Sequence, residues 1–221
     1  SASWTWASDA PERTVLFNMG DYDSQYWRIP ALVTAADNSL VAVVDKRGSS
    51  LGDLPNTISI MSRRSTDNGK NWSEPVVVAQ GGNGKTYGDP AVVLDKKTGN
   101  LICMFVGDQG LWNATPYNRQ GIYVSKSTDN GVSWSEPVAI TDQVYANHSG
   151  WYAGFAGSGH GLCLKDGRLM FVLAIRATSA TGVPLHNYAI YSDDGGDNWT
   201  LSTNAATTVG DEAKVVELED G

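Results

Sequence analysis

Apolar positions in this chain come in short runs broken by compact polar turns. The segments ALVTAADNSLVAVVDKR (31–47), PAVVLDKKTGNLICMFVG (90–107) and GLCLKDGRLMFVLAIR (161–176) each read as strand, tight turn, strand. The turns DKKTGN and KDGRLM, though charged, carry the Thr-Gly-Asn and Asp-Gly pairs that hairpins favour. No segment sustains a helical period over three turns. The pattern predicts an all-β chain.

After each of these segments the same box returns: STDNGKNW (65–72), STDNGVSW (127–134) and SDDGGDNW (192–199) share Ser-x-Asp-x-Gly-x-x-Trp, with the tryptophans 62 and 65 residues apart. Strand-like runs flank the boxes, as GIYVSK and SEPVAI do around the second. The box is therefore expected to be a hairpin turn. Its aspartate accepts backbone N–H groups, its glycine supplies positive φ, and its tryptophan covers the apolar side. These are structural tasks, and no catalysis is assigned to the boxes. Two strands upstream and two around each box make four strands per repeat, the make-up of a β-propeller blade. At roughly 63 residues per repeat, the 221 residues hold about three and a half blades, fewer than the 4–8 that close a ring. AKVVELEDG (213–221) reads as a further apolar strand entering an Asp-Gly turn. The chain is thus expected to be one part (1–221) of a single propeller domain, completed by a second chain or segment.

Composition narrows the functional classes. The 41% apolar and 18% charged residues suit a globular protein, and no apolar run approaches the ~20 residues of a bilayer helix. Nothing at the N-terminus reads as a signal peptide. A net charge of −8 repels phosphates, which argues against nucleic acid as a partner. Cys103 and Cys163 sit in apolar runs without metal-site or disulfide spacing and read as buried thiols. His148, His160 and His186 lack ligand-like spacing, so no metal is expected.

The candidate chemistry begins at QYWRIPALV, where Arg28 precedes an Ile-Pro pair opening a strand, a place that tolerates proline's missing N–H. Arg47 and Asp53 follow at the edge of and inside RGSSLGDLPN, a Gly- and Ser-rich loop of the kind that displays functional side chains on a rigid scaffold.

With Trp27-Arg28-Ile29-Pro30 and three boxes, the chain resembles the sialidase (neuraminidase) family of six-bladed propellers. The resemblance implies that Arg28 is one of three arginines gripping the sialic acid carboxylate, that Arg47 lines the glycan pocket, and that Asp53 is the acid/base. Asp89 in GDPAVV matches a carboxylate touching the sugar hydroxyls, and Trp112 in GDQGLWN an aromatic near the N-acetyl pocket. Asp89 reads equally as a turn cap before Pro90, and Trp112 as packing. In DEAKVVELEDG, Glu212 matches the residue that activates the nucleophile, with Glu217, inside the expected strand, as the competing choice. The family's other two carboxylate-binding arginines and its nucleophilic tyrosine match nothing here and would lie beyond Gly221.

The implied activity is exo-α-sialidase: hydrolysis of terminal α-linked sialic acids from glycoconjugates, with retention and without a cofactor. A neutral tyrosine suits a substrate whose own carboxylate would repel a carboxylate nucleophile, and sialidases are known exceptions to the two-carboxylate rule. Arginine forks would draw the anionic sugar into an otherwise acidic protein, and partial burial or neighbouring negative charge would raise the Asp53 pKa. Alternatives are a trans-sialidase, an intramolecular one yielding an anhydro sugar, or a non-catalytic glycan-binding propeller. The substrate class implies a secreted, periplasmic or cell-surface location.

Overall fold

The computed structural model describes residues 12–157, 159–182 and 184–221; the opening segment, where the sequence shows no leader-like run, lies outside them. The described residues form three successive sheets. The first joins β1 (Tyr26–Thr34), β2 (Leu40–Gly48), β3 (Ser59–Ser65) and β4 (Val76–Ala79) in chain order, each pair antiparallel. The second repeats that order with β5 (Tyr87–Leu94), β6 (Leu101–Gly107), β7 (Gly121–Ser127) and β8 (Val138–Ala139). A single helical turn, α1 (Thr141–Tyr145), follows; at five residues it is too short for the periodicity signal a sequence shows.

The third sheet departs from the pattern. Two short strands, β9 (Ala153–Ala156) and β10 (Gly159–His160), precede the expected pair, whose first strand shrinks to β11 (Leu162–Cys163), before β12 (Leu169–Arg176), β13 (Leu185–Ser192), β14 (Thr200–Leu201) and β15 (Thr207–Gly210). Both β9 and β11 pair β12, β15 pairs β13, and β10 crosses over to run parallel to β5. That crossing ties the third sheet to the second. The strand expected at 213–218 does not form: no described strand pairs with it, and Val216 and Leu218 remain 75% and 65% exposed. An apolar run becomes a strand only where a ladder partner accepts its backbone groups.

All three boxes form the expected hairpins, between β3 and β4, β7 and β8, and β13 and β14. In the first, Asp67 Oδ1 accepts Ser65 Oγ–H at 2.8 Å and the Asn71 N–H at 2.8 Å, while Ser65 Oγ accepts the Gly69 N–H at 2.8 Å. The third repeats this through Ser192, Asp194, Gly196 and Asn198. Those bonds stabilise the carboxylate and hold Asp67 and Asp194 down at about 2. The second box reaches across a sheet boundary, its Trp134 Nε1–H donating to Ser62 Oγ of β3 at 2.9 Å.

Apolar residues fill the spaces between sheets. Val41, Val43 and Ile60 of the first sheet meet Val92, Leu101 and Phe105 of the second. Ile102, Met104 and Ile122 meet Phe171, Leu173 and Trp199 of the third. Cys103 and Cys163 are buried free thiols in these layers. A smaller cluster of Leu54, Ile58, Val106, Phe155, Ala174 and Leu185 draws on all three sheets and lies under the candidate site.

Candidate functional site

The first strands of the first two sheets share one distortion. Ladder register jumps between Arg28 and Ala31 in β1 and between Gly88 and Ala91 in β5, and the residue before proline, Ile29 or Asp89, takes φ 55°. A residue before proline ordinarily stays extended, and a β-branched isoleucine at positive φ is an outlier costing about 1–3 kcal/mol. Proline has no N–H to lose from the ladder, so an X-Pro step is where a bulge disturbs pairing least. Such bulges re-aim side chains, and Arg28 and Asp89 both line one cavity.

That cavity, about 260 Å³, is walled by Arg28, Asp53, Asp89, Trp112 and Glu212, with Asp211, Asn113 and Gln120 beside them and Leu54, Leu111, Phe155 and Leu185 as its apolar part. Close backbone approaches assemble it. A Cβ on Gly110 would stand 2.2 Å from the Leu54 carbonyl oxygen, so glycine lets the Trp112 loop lie against the Asp53 loop. A Cβ on Gly157 would stand 2.4 Å from the Ala213 carbonyl oxygen, so glycine admits the segment carrying Glu212. Glu217 faces elsewhere and accepts the Lys165 N–H at 2.9 Å, and it stands in no strand. Of the two glutamates, only Glu212 joins the cavity.

Asp53 is 70% exposed at its side chain, so the partial burial expected as one of two alternatives is absent. The loop's Gly-Ser make-up offers little bulk to cover it, and two arginines approach it instead. Arg47 Nη1 donates to Asp53 Oδ1 at 2.6 Å, and Arg28 Nη1 stands 3.5 Å from the same oxygen. Both arginines also donate to the Leu51 carbonyl at 3.1 Å. Arg28, 42% exposed at its side chain, opens to the cavity.

Arg47 does not line the cavity, against the expectation for it. Its side chain is fully buried behind the wall, saturated by carboxylates: Nε and Nη2 reach Asp45 Oδ2 at 3.2 and 2.8 Å, and Nη2 stands 3.7 Å from Asp89 Oδ1. Burial opposes the Arg47 charge, yet the bonds to Asp53 and Asp45 prevail and hold the guanidinium's pKa above its ordinary value. Burial pushes the Asp45 carboxyl well above the carboxylate range, and the Asp89 charge adds to this against Arg47. Asp89 rises to about 6, chiefly through burial; Arg47 and Arg28 oppose it, and Asp53 and Glu212 reinforce it. An anionic group entering beside Arg28 would thus meet four carboxyls in the wall, those of Asp53, Asp89, Asp211 and Glu212. The strongly positive pocket anticipated from the arginines is not what the described residues build.

Three participants escaped the sequence reading. Asp45 could have been found: it interrupts the apolar run VAVVD two residues before Arg47, which places both on one face of β2. Gln120, 2% exposed, donates its amide to the Gln109 carbonyl at 3.1 Å and leaves its buried Oε1 without a donor among the described residues; nothing local marks it. Asp211 adjoins Glu212 and accepts the latter's N–H at 2.9 Å. Trp112 is 41% exposed in the cavity wall with Arg176 over its ring at 5.7 Å. Among the described residues no group of three or more His, Cys, Asp or Glu is placed to hold a metal, and His148 stacks on Trp151. No helix among the described residues is long and apolar enough to cross a membrane.

A fold of successive, mainly antiparallel sheets, each carrying one Ser-x-Asp-x-Gly-x-x-Trp hairpin, with a wall of arginine and carboxylates beside them, defines an Asp-box, propeller-like protein. Residues 29–221 match the family model of the BNR repeat-like domain, and the chain belongs to that family, on its bacterial-type sialidase side. It is 35% identical to a sialidase of Bacteroides fragilis over 91% of its own length and 39% of that protein's. Among solved structures, the Hadza microbial sialidase Hz136 is 31% identical with TM-score 0.79, over 91% of this chain and 42% of that one. A leech intramolecular trans-sialidase is 18% identical with TM-score 0.79, over 96% and 49%, a likeness of fold alone. The chain spans less than half the length of each of these proteins.

Proposed function

We propose that the protein containing this chain is an exo-α-sialidase that removes terminal α-linked sialic acids from glycoconjugates with retention. The observation that carries the reading is the convergence of Arg28, Asp53, Asp89, Trp112 and Glu212, drawn from separate sheets and loops, on one cavity. Arg28 pairs the sugar carboxylate, and Asp53, at the open edge, protonates the leaving oxygen and then deprotonates the incoming water. Asp89 meets ring hydroxyls, Trp112 packs on the acylamino side, and Glu212 deprotonates a tyrosine supplied by the rest of a six-bladed propeller. The same remainder supplies two more arginines, which offset the four wall carboxyls. The chain contributes roughly the first half of that domain, and the protein acts outside the cytoplasm, where sialylated glycans are found.

The test is turnover of a fluorogenic α-sialoside by the full-length protein, with the anomer of first-formed sugar read by NMR and product mass by spectrometry. Release of the α-anomer supports retention. Transfer to a galactoside or formation of an anhydro sugar gives different masses and redirects the reading to a trans-sialidase. No turnover across pH 4–8 overturns it in favour of a glycan-binding module.

A further inference from the structure

We propose that Asp45 is a positioning residue: by gripping two arms of the Arg47 guanidinium it aims the third at Asp53 and holds that carboxyl at the cavity edge. The inference rests on the sialidase reading for what Asp53 does. Asp53 rides on a Gly- and Ser-rich loop and is mostly exposed, so the loop does little to fix its side chain, and Arg28 stands off at 3.5 Å. The Arg47 guanidinium supplies what the loop lacks. It is planar and fully buried, with Nε and Nη2 fixed on Asp45 at 3.2 and 2.8 Å and Nη1 directed to Asp53 at 2.6 Å. Asp45 is itself fully buried and touches neither the cavity nor Asp53, so it reaches Asp53 only through Arg47. Its other oxygen accepts the Asp89 N–H at 3.1 Å, inside the β5 bulge. One carboxylate therefore anchors both the loop that carries Asp53 and the bulge that aims Asp89. Burial works against the Asp45 charge and the Arg47 fork works for it, and two arms of the fork close on one Asp45 oxygen in a bracket.

The experiment compares Asp45→Asn and Arg47→Lys with the native full-length protein on two sialosides, one with a poor galactoside leaving group and one with an activated aryl group. Protonation of the leaving oxygen matters for the first and little for the second. The kcat loss is expected to be about tenfold greater on the galactoside than on the aryl sialoside. Equal losses on both, the mark of a merely structural residue, overturn the proposal. In an Asp53→Ala background Asp45→Asn is expected to lower kcat equally on the two sialosides, and a loss still greater on the galactoside overturns it. Should Asp45→Asn not fold, Arg47→Lys carries the same comparison, since a lysine cannot bridge two carboxylates as a fork. Side-chain ¹⁵N NMR of Arg47 reads the bracket without turnover. Rotation of the guanidinium is expected to be restrained in the native protein and freed in Asp45→Asn, and a guanidinium still restrained in that variant overturns the bracket. A native protein that turns over neither sialoside sinks the sialidase reading, and the NMR comparison still decides whether Asp45 holds Arg47.

Discussion

Asp53 and Asp89 show how two carboxyls a few ångströms from the same guanidinium come to differ. Asp53 stands at the open edge of the cavity against Arg47 and Arg28, whereas Asp89 is tucked into a bulge where burial outweighs the same two arginines. Replacing Asp53 by alanine in the full-length protein is expected to lower turnover of a galactoside-linked substrate by about 10²–10⁴-fold, with a smaller loss on an activated aryl sialoside; steady-state kinetics on both substrates checks this. Asp89 bears instead on stability. With its folded value near 6 against an ordinary 3.8, it adds no cost below about pH 4, where both states are protonated. Between about pH 4 and 6 the unfolded chain sheds its proton first, so this group subtracts stability as pH rises, and the loss is complete above about 6. Asp89→Asn should therefore gain thermal stability relative to the native protein at pH 7.5 and much less at pH 4. Melting curves at the two pH values decide it, and an equal change at both would refute the assignment.

At the scale of elements, the hairpin boxes were legible because their bonds are local. Ser65, Asp67, Gly69 and Asn71 satisfy one another within seven residues, so a motif in the sequence is already most of the structure. The strand expected at 213–218 failed for the opposite reason, since its backbone needs a neighbour that no pattern within the segment specifies. What places Glu212 is the glycine at 157, in a different element, whose missing side chain leaves room for Ala213. Gly157→Ala is expected to push that segment outward and lower kcat by about tenfold or more, in keeping with the cost of misplacing a catalytic group by about an ångström, while the fold persists. Kinetics alongside circular dichroism tests this. Full activity in the alanine variant would show that Glu212 does not depend on the approach.

Across the whole molecule, two apolar layers join three sheets, and the middle sheet contributes to both. Ile60 belongs to the first layer and Ile175 to the second, each fully buried. Trimming either to valine is expected to cost about 0.5–1.5 kcal/mol. Because the layers share no contact at these positions, the double variant should lose the sum to within about 0.5 kcal/mol, as urea midpoints will report. The sequence alone determined the all-β class, the repeat and the three hairpins, and it singled out Arg28, Asp53, Asp89, Trp112 and Glu212, which the structure gathers round one cavity, because short-range periodicity, turn chemistry and a family signature are written along the chain. Tertiary structure alone decided that Arg47 stands behind the cavity wall, that Asp45 grips it, and that Gln120 and Phe155 complete the lining. Those facts follow from which strand face meets which neighbour, and from two glycines that let distant backbones touch, and such encounters in space leave no period or spacing for a sequence to display.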